Sequence, residues 1–151
     1  MTHQIICTIE PASDKNFALI NADSSFYEIL WFVNHYDYSV MFDKPSDSNY
    51  NGDKRYGKIG EGIAEIKPKT AKKILDTIKS GKKIETKYYS GIEDEDELAF
   101  ALVYNSYIHS IEYECLLLVF NDEKVDTIEK LEDALCFRDD RLFVIPADFH
   151  T

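Results

Sequence analysis

Residues 112–145 read EYECLLLVFNDEKVDTIEKLEDALCFRDDRLFVI, and this stretch indicates the class of fold. Residues 112–120 are typical of a central strand, and residues 142–145 of another strand. Between them, Asp126 and Glu129 form a capping-box-like pair ahead of a helix that runs to about residue 137. A strand, a helix and a strand within about 30 residues predict a parallel crossover unit, with an antiparallel return as the alternative.

The amino-terminal part predicts two strands followed by a helix. Residues 4–10 alternate as a strand does, and residues 17–20 are compatible with a short second strand. Ser25 and Glu28 form a capping box, which predicts that a helix begins at about residue 26 and ends near residue 35. Apolar side chains nearly encircle that helix, so we expect it to be a central packing element.

The middle of the chain begins with a stretch poor in order-promoting residues. Residues 43–62 are rich in Gly, Ser, Asn and Asp and predict a long loop. Residues 63–66 predict a short strand. Pro68 then opens a helix that runs to about residue 79, with Gly81 as its stop signal.

Two further elements complete the prediction. Residues 82–89 alternate as a half-buried strand does, and residues 98–107 have the apolar spacing of a helix whose start is negatively charged. We find neither an internal repeat nor a linker. The sequence therefore predicts a single α/β or α+β domain over residues 1–151, with a mixed sheet and about four packing helices.

Charge is unevenly distributed along the chain. The net charge is −11, yet residues 53–87 hold eleven Lys or Arg and five acidic residues, a net charge of +6. The rest of the chain therefore carries −17, concentrated in residues 93–97 and 122–140. A surface of this kind attracts a basic partner and repels nucleic acid over most of its area.

Composition indicates a folded cytoplasmic protein. Aromatic residues make up 13% of the 151 residues, which argues against disorder. Cys7, Cys115 and Cys136 are an odd number with apolar neighbours, so we expect reduced thiols in the core. Residues 1–4 lack the basic region of a secretory signal, and the longest apolar run has seven residues against the ~20 of a membrane helix. We therefore expect no membrane contact.

No catalytic or metal-binding motif is apparent. His3 with Cys7 and His109 with Glu112 have helical ligand spacing, but both pairs fall in or beside predicted strands. Residues 57–62 read GKIGEG, yet these glycines precede a strand rather than a helix, so a phosphate loop is disfavoured. We expect no cofactor, no metal and no catalytic residue, and the sequence favours a function other than catalysis.

Residues 93–97 form a run of five consecutive carboxylates ahead of a predicted helix. One interpretation is a solvated helix start that the helix dipole stabilises, and the other is a docking surface for a cationic partner. A helix start needs one or two acids rather than five, and this excess gives the docking interpretation about equal weight. The candidate partner-binding residues are Glu93, Asp94, Glu95, Asp96 and Glu97, the neighbouring anchors Tyr88, Tyr89 and Tyr104, and a second patch of Asp122, Glu123, Asp139 and Asp140.

A small, acidic, aromatic-rich, cytosolic domain without catalytic motifs resembles the immunity proteins that bacteria make against contact-dependent-inhibition and polymorphic toxins. The resemblance is one of overall character along the whole chain. It implies tight binding to a basic toxin domain, in many cases a nuclease, whose active site the immunity protein masks.

Two alternatives belong to other functional classes. A nucleic-acid-associated protein would use the lysine-rich helix at residues 67–83, with tyrosines as stacking platforms. A small enzyme or ligand-binding domain would use residues 43–62 as a lid over a pocket near His35 or His109.

Overall fold

The computed structural model describes residues 3–32, 38–41, 63–84, 92, 94–137 and 139–150, and a mixed β-sheet runs through this part of the chain. The described strands are β1 (His3–Ala12), β2 (Tyr38–Met41), β3 (Ala64–Glu65), β4 (Leu118–Phe120), β5 (Glu123–Lys124) and β6 (Arg141–His150). Their order is β2-β6-β1-β4-β5, and β3 also pairs with β6. The strands predicted at 4–10, 63–66 and 142–145 are confirmed.

The long ladder between β1 and β6 determines the topology. These strands are antiparallel along their whole length and end with Ala12 opposite Arg141. On its other side β1 pairs with β4 in parallel, with Cys7 opposite Leu118. Because β1 lies between them, β4 and β6 are antiparallel and do not pair with each other. The parallel crossover is therefore wrong for residues 112–145, and the antiparallel return is what the chain adopts.

Pro146 lies within β6, a strand with neighbours on both sides. It stands opposite Cys7 of β1. The Cys7 N–H donates to the Leu117 carbonyl on the β4 side at 2.9 Å, so Cys7 and Pro146 do not hydrogen-bond to each other. Pro146 therefore needs no N–H toward β1. On the opposite edge β3 pairs at residues 143–144 and β2 at residues 147–150. The missing donor therefore falls between two short edge strands, where the sheet tolerates it.

Helices cover both faces of the sheet. One face is covered by α1 (Lys15–Phe32), and α2 (Pro68–Lys79), α3 (Glu95–Glu112) and α4 (Ile128–Leu135) pack on the other. Alternate residues of β6 enter the two cores, with Phe143 facing α1 and Val144 facing α3. Phe26 of α1 meets Phe149 edge to face, with ring centroids 5.6 Å apart. This arrangement is an α+β domain, one of the two predicted classes.

The structure corrects the predicted start of α1. Residues 17–20 are helical rather than a strand, and the helix begins at Lys15 rather than near residue 26. The Asp14 carboxylate accepts a hydrogen bond from the Phe17 N–H at 2.9 Å, so Asp14 caps the helix. Core-facing Ala18, Ala22 and Phe26 recur at helical spacing. The prediction failed because two apolar faces on one helix hide its period.

The remaining helix predictions agree with the structure apart from their ends. α2 has the predicted bounds, and Gly81 follows it at φ 74°. α3 contains the predicted 98–107 helix and extends it at both ends, so the strand predicted at 112–120 is reduced to residues 118–120. The cap of α4 is Thr127 rather than the predicted Asp126 pair.

Two predicted segments lie wholly or partly outside the described residues. The loop predicted at 43–62 is outside them, as are residues 33–35 of the first predicted helix. In the strand predicted at 82–89, residues 82–84 have no regular structure and the rest is outside the description.

Candidate functional site

One end of the sheet gathers carboxylates that are far apart in the sequence. β1 ends there, β6 begins there, and β4, parallel to β1, turns back there into β5. We call this region the acidic end. It comprises Asp14, Glu65, Asp94, Glu95, Asp122, Glu123, Asp139 and Asp140.

Arg141 organises the acidic end. Its Nη2 lies 2.6 Å from Glu65 Oε1, and its Nη1 donates to the Ser13 carbonyl at 3.2 Å. The hydrogen bond to Glu65 raises the pKa of Arg141, and the nearby charges of Asp14 and Glu95 raise it further. The same contact lowers the pKa of the Glu65 carboxyl. The guanidinium therefore bonds to Glu65 and lies near the carboxylates of Asp14 and Glu95, which come from two other chain segments.

The start of α3 is tied to this arrangement. Asp94 caps the helix by accepting from the Glu97 N–H at 2.9 Å. Glu95 accepts from the Glu65 N–H at 2.9 Å and lies 3.4 Å from Lys15 Nζ. Its carboxylate therefore fastens α3 to strand β3 and to the start of α1.

Much of the acidic run thus has an intramolecular role. Asp96 forms an ion pair with Lys67 at 3.5 Å, whereas Glu97 is exposed. Glu93 lies outside the described residues. Both interpretations of the run retain support, because it starts a helix and also adds charge to the acidic end.

The second predicted patch comes from two turns. Asn121 and Asp122 have φ values of 53° and 61° and connect β4 to β5, as a two-residue type I′ hairpin requires. Asp122 and Glu123 are exposed at this hairpin. In the turn before β6, Asp139 is exposed and Asp140 accepts from the Arg141 N–H at 2.9 Å. The structure therefore brings Asp94 and Glu95 of the first predicted patch to the same end of the sheet as the second patch.

A buried carboxyl beside the acidic end was missed by the sequence analysis. Glu10 is only 8% exposed, and its Oε1 accepts from Ser25 Oγ at 2.6 Å and from Thr8 Oγ1 at 2.7 Å. Burial raises the pKa of Glu10 and the nearby Asp122 charge adds to this, while the two hydroxyls oppose it. The available signal was the alternation of Thr8 and Glu10 on one face of an otherwise apolar strand.

Tyr104, predicted as an exposed aromatic anchor, is buried. It is 2% exposed, stacks on Phe100 with ring centroids 5.4 Å apart, and accepts from the Ile84 N–H at 3.0 Å. Its place on an apolar helix between core positions explains this, so it presents no surface to a partner in this conformation. Tyr88 and Tyr89 lie outside the described residues.

Lysines on and around α2 face acidic neighbours. The described pairs are Lys67–Asp96 (3.5 Å), Lys72–Asp76, Lys79–Glu132 (2.6 Å) and Lys83–Glu112 (2.8 Å). Lys73 instead lies over the Phe100 ring, 5.0 Å from its centroid. These contacts favour a surface whose lysines complement the neighbouring acids rather than an open track for a phosphate backbone.

The three thiols occupy different environments. Cys7 is fully buried, and burial raises its pKa to about 12, so its thiol is protonated and inert at neutral pH. Cys115 is half-buried and Cys136 is exposed. The prediction of a core thiol is therefore wrong for Cys136, whose position at the end of α4 turns it away from the core.

The described residues add no support for a metal site at the candidate ligand pairs. His109 and Glu112 both lie within α3, so the prediction that this pair falls in or beside a strand is wrong. The Glu112 carboxylate pairs with Lys83 at 2.8 Å, and the His109 ring centroid lies 5.5 Å from that of Tyr113. Within the described ranges, no three His, Cys, Asp or Glu side chains are grouped as metal ligands would be. The side chains of His3 and His150, together with His35 and residues 57–62, are outside the description.

Among the helices that the structure describes, none has the length and apolar character to cross a bilayer. Comparison with protein-family models, with curated proteins and with solved structures found no match. Function is therefore inferred from the geometry and charge of the acidic end.

Proposed function

We propose that this protein is an acidic protein-binding module that neutralises a cognate basic toxin domain, such as a nuclease, by masking its active site. The observation that carries the proposal is the convergence of carboxylates from five chain segments at the acidic end, in a chain of net charge −11. The overall resemblance to bacterial toxin-immunity proteins supports the same function.

Charge is the physical basis of this proposal. A toxin that cuts nucleic acid needs a cationic cleft, and an anionic surface is steered into such a cleft faster than a neutral one. Asp122, Glu123 and Asp139 are exposed and suited to this role. Asp94 and Glu95 contribute to the field while they hold α3 in place.

The test begins with a pull-down from the native organism, using the full chain as bait and washing at low and then high salt. We expect a basic protein that elutes only at high salt, is toxic when produced alone and is harmless when produced with this chain. Recovery of nucleic acid or a small molecule without such a protein would overturn the proposal.

Association kinetics then test the acidic end. The variant Asp122→Asn/Asp139→Asn removes two charges there, and Glu112→Gln/Glu114→Gln removes two at the far end of α3, about 25 Å from Glu95. We expect the first variant to bind the captured protein roughly threefold to tenfold more slowly at low salt and with a flatter salt dependence. Equal on-rates for the two variants would show that the acidic end does not steer binding.

A further inference from the structure

The outer face of α1 exposes an apolar stripe. Phe17 is 55% exposed, Ile20 is 62% exposed and Tyr27 is 66% exposed. Their spacings of three and seven residues place them on one side of the helix. Ala18 and Phe26 on the other side are buried against the sheet. The helix is therefore apolar on two faces, of which the sheet covers one.

Single exposed apolar residues are ordinary, but an aligned row of large ones is typical of an interaction surface. Ser24 lies in the same row, between Ile20 and Tyr27, and is also exposed. Its small side chain separates Ile20 from Tyr27 on this face.

Carboxylates border this stripe. Asp23 and Glu28 are exposed and flank it on its two sides, as their positions on the helix require. Asp14, a member of the acidic end, is hydrogen-bonded to the backbone of Phe17, the first residue of the stripe. The apolar stripe therefore begins beside Asp14 of the acidic end and has carboxylates along both sides.

We propose that the outer face of α1, formed by Phe17, Ile20 and Tyr27, is the docking surface that receives an apolar ridge flanked by Lys or Arg side chains on the basic toxin domain. This inference rests on the proposed function and names the part of the surface that holds the partner. Charge complementarity selects the occupant, because a second copy docked through the same face would set its own Asp23 and Glu28 against these carboxylates, whereas Lys or Arg side chains pair with them.

The two parts of the surface have different kinetic roles. Exposed carboxylates act at a distance and set the association rate, whereas aromatic and aliphatic side chains act on contact and set the dissociation rate. Phe17 and Tyr27 take the anchoring role that the sequence predicts for Tyr104.

The test uses the basic protein captured by the salt-graded pull-down. The variant Phe17→Ala/Ile20→Ala/Tyr27→Ala retains helix propensity, and its matched control, Ile111→Ala/Tyr113→Ala, removes side chains that are 45% and 68% exposed at the end of α3. We expect the triple variant to bind about 30-fold or more weakly, mainly through faster dissociation, and the control to change by less than about threefold. Tyr27→Ala alone should give part of the loss, and thermal unfolding checks that each variant is folded.

The outcomes separate this inference from the proposed function. If the captured toxin binds the triple variant as tightly as the wild type, the docking surface is overturned while the function stands. If no basic protein is captured, the probe becomes a synthetic amphipathic helix of Leu and Lys. Binding of this peptide to the wild type but not to the triple variant supports the surface, and equal or absent binding overturns it. Self-association that the triple variant abolishes would identify a second copy as the occupant and overturn the inference.

Discussion

Arg141 Nη2 and Glu65 Oε1 lie 2.6 Å apart although 76 residues separate them in the chain. The pair joins the first residue of the central strand β6 to the edge strand β3, whose pairing brings Glu65 opposite Phe143. The Glu65 backbone N–H in turn donates to the Glu95 carboxylate of α3 at 2.9 Å. The ion pair and this hydrogen bond together join three segments of the acidic end.

The first prediction concerns this ion pair. We expect Arg141→Gln to lower the free energy of unfolding by more than Lys130→Gln, which breaks only an i,i+4 pair with Asp126. The loss should shrink as salt is added, because both side chains are partly exposed. Urea unfolding at low and high salt measures both effects, and equal losses for the two variants would contradict the prediction.

The same pair predicts a pH dependence. Because Arg141 lowers the pKa of Glu65, the ionised carboxyl stabilises the folded state at pH values above its ordinary 4.5. That contribution is lost as the pH falls through the lowered folded pKa. The stability difference between the wild type and Arg141→Gln should therefore narrow in acid to the part that the Ser13 and Phe143 contacts of Arg141 supply, and a difference that does not change with pH would contradict the prediction.

The buried carboxyl of Glu10 should make the free energy of unfolding depend on pH in the opposite direction. Burial raises its pKa above 4.5, so ionisation of Glu10 destabilises the folded state as the pH rises from that value up to the folded pKa. We expect Glu10→Gln to gain stability relative to the wild type over this rise. Unfolding titrations from about pH 4 to about pH 8 measure the difference, and a constant difference would refute the raised pKa.

Ser25 should behave as a hydrogen-bond donor to Glu10 rather than as a helix cap. Loss of its hydroxyl removes a donor to a buried carboxylate, worth about 2 kcal/mol when Glu10 is ionised. The destabilisation in Ser25→Ala should therefore grow with pH, because the variant raises the pKa of Glu10 further. A loss that does not depend on pH would instead match the capping role predicted from the sequence.

Asp14 should carry the capping role instead. Asp14→Ala removes the acceptor of the Phe17 N–H and should cost about 1 kcal/mol of folding free energy. Asp23→Ala, at an exposed position inside the same helix, is the matched control and should change stability little. Thermal unfolding of the two variants compares them, and an equal effect would place the helix start elsewhere.

Gly81 should be sensitive to substitution for a backbone reason alone. Its φ of 74° is disfavoured for other residues, but a Cβ added there would meet nothing within 4 Å. Gly81→Ala should therefore cost about 1 kcal/mol through backbone strain, while Lys82→Ala should be nearly neutral. A neutral Gly81→Ala would show that this turn relaxes.

Features that depend only on residues close together in the sequence were predictable from it. Pro68 and Gly81 delimit α2 through their own backbone restrictions, and the apolar period of residues 98–107 indicates a helix wherever that segment packs. The net charge is likewise a property of composition and needs no fold. The same local periods left two fold classes open, α/β and α+β, and the strand pairing decided between them.

Only the tertiary structure decided which of these parts meet. Strand β1 pairs with both β4 and β6, and this non-local pairing places the hairpin at Asp122 and the turn at Asp139 at the same end of the sheet. The buried state of Tyr104 and the contact of Ser25 with Glu10 likewise come from distant segments. Local spacing describes one segment at a time, whereas long-range pairing determines which side chains share a surface or a core.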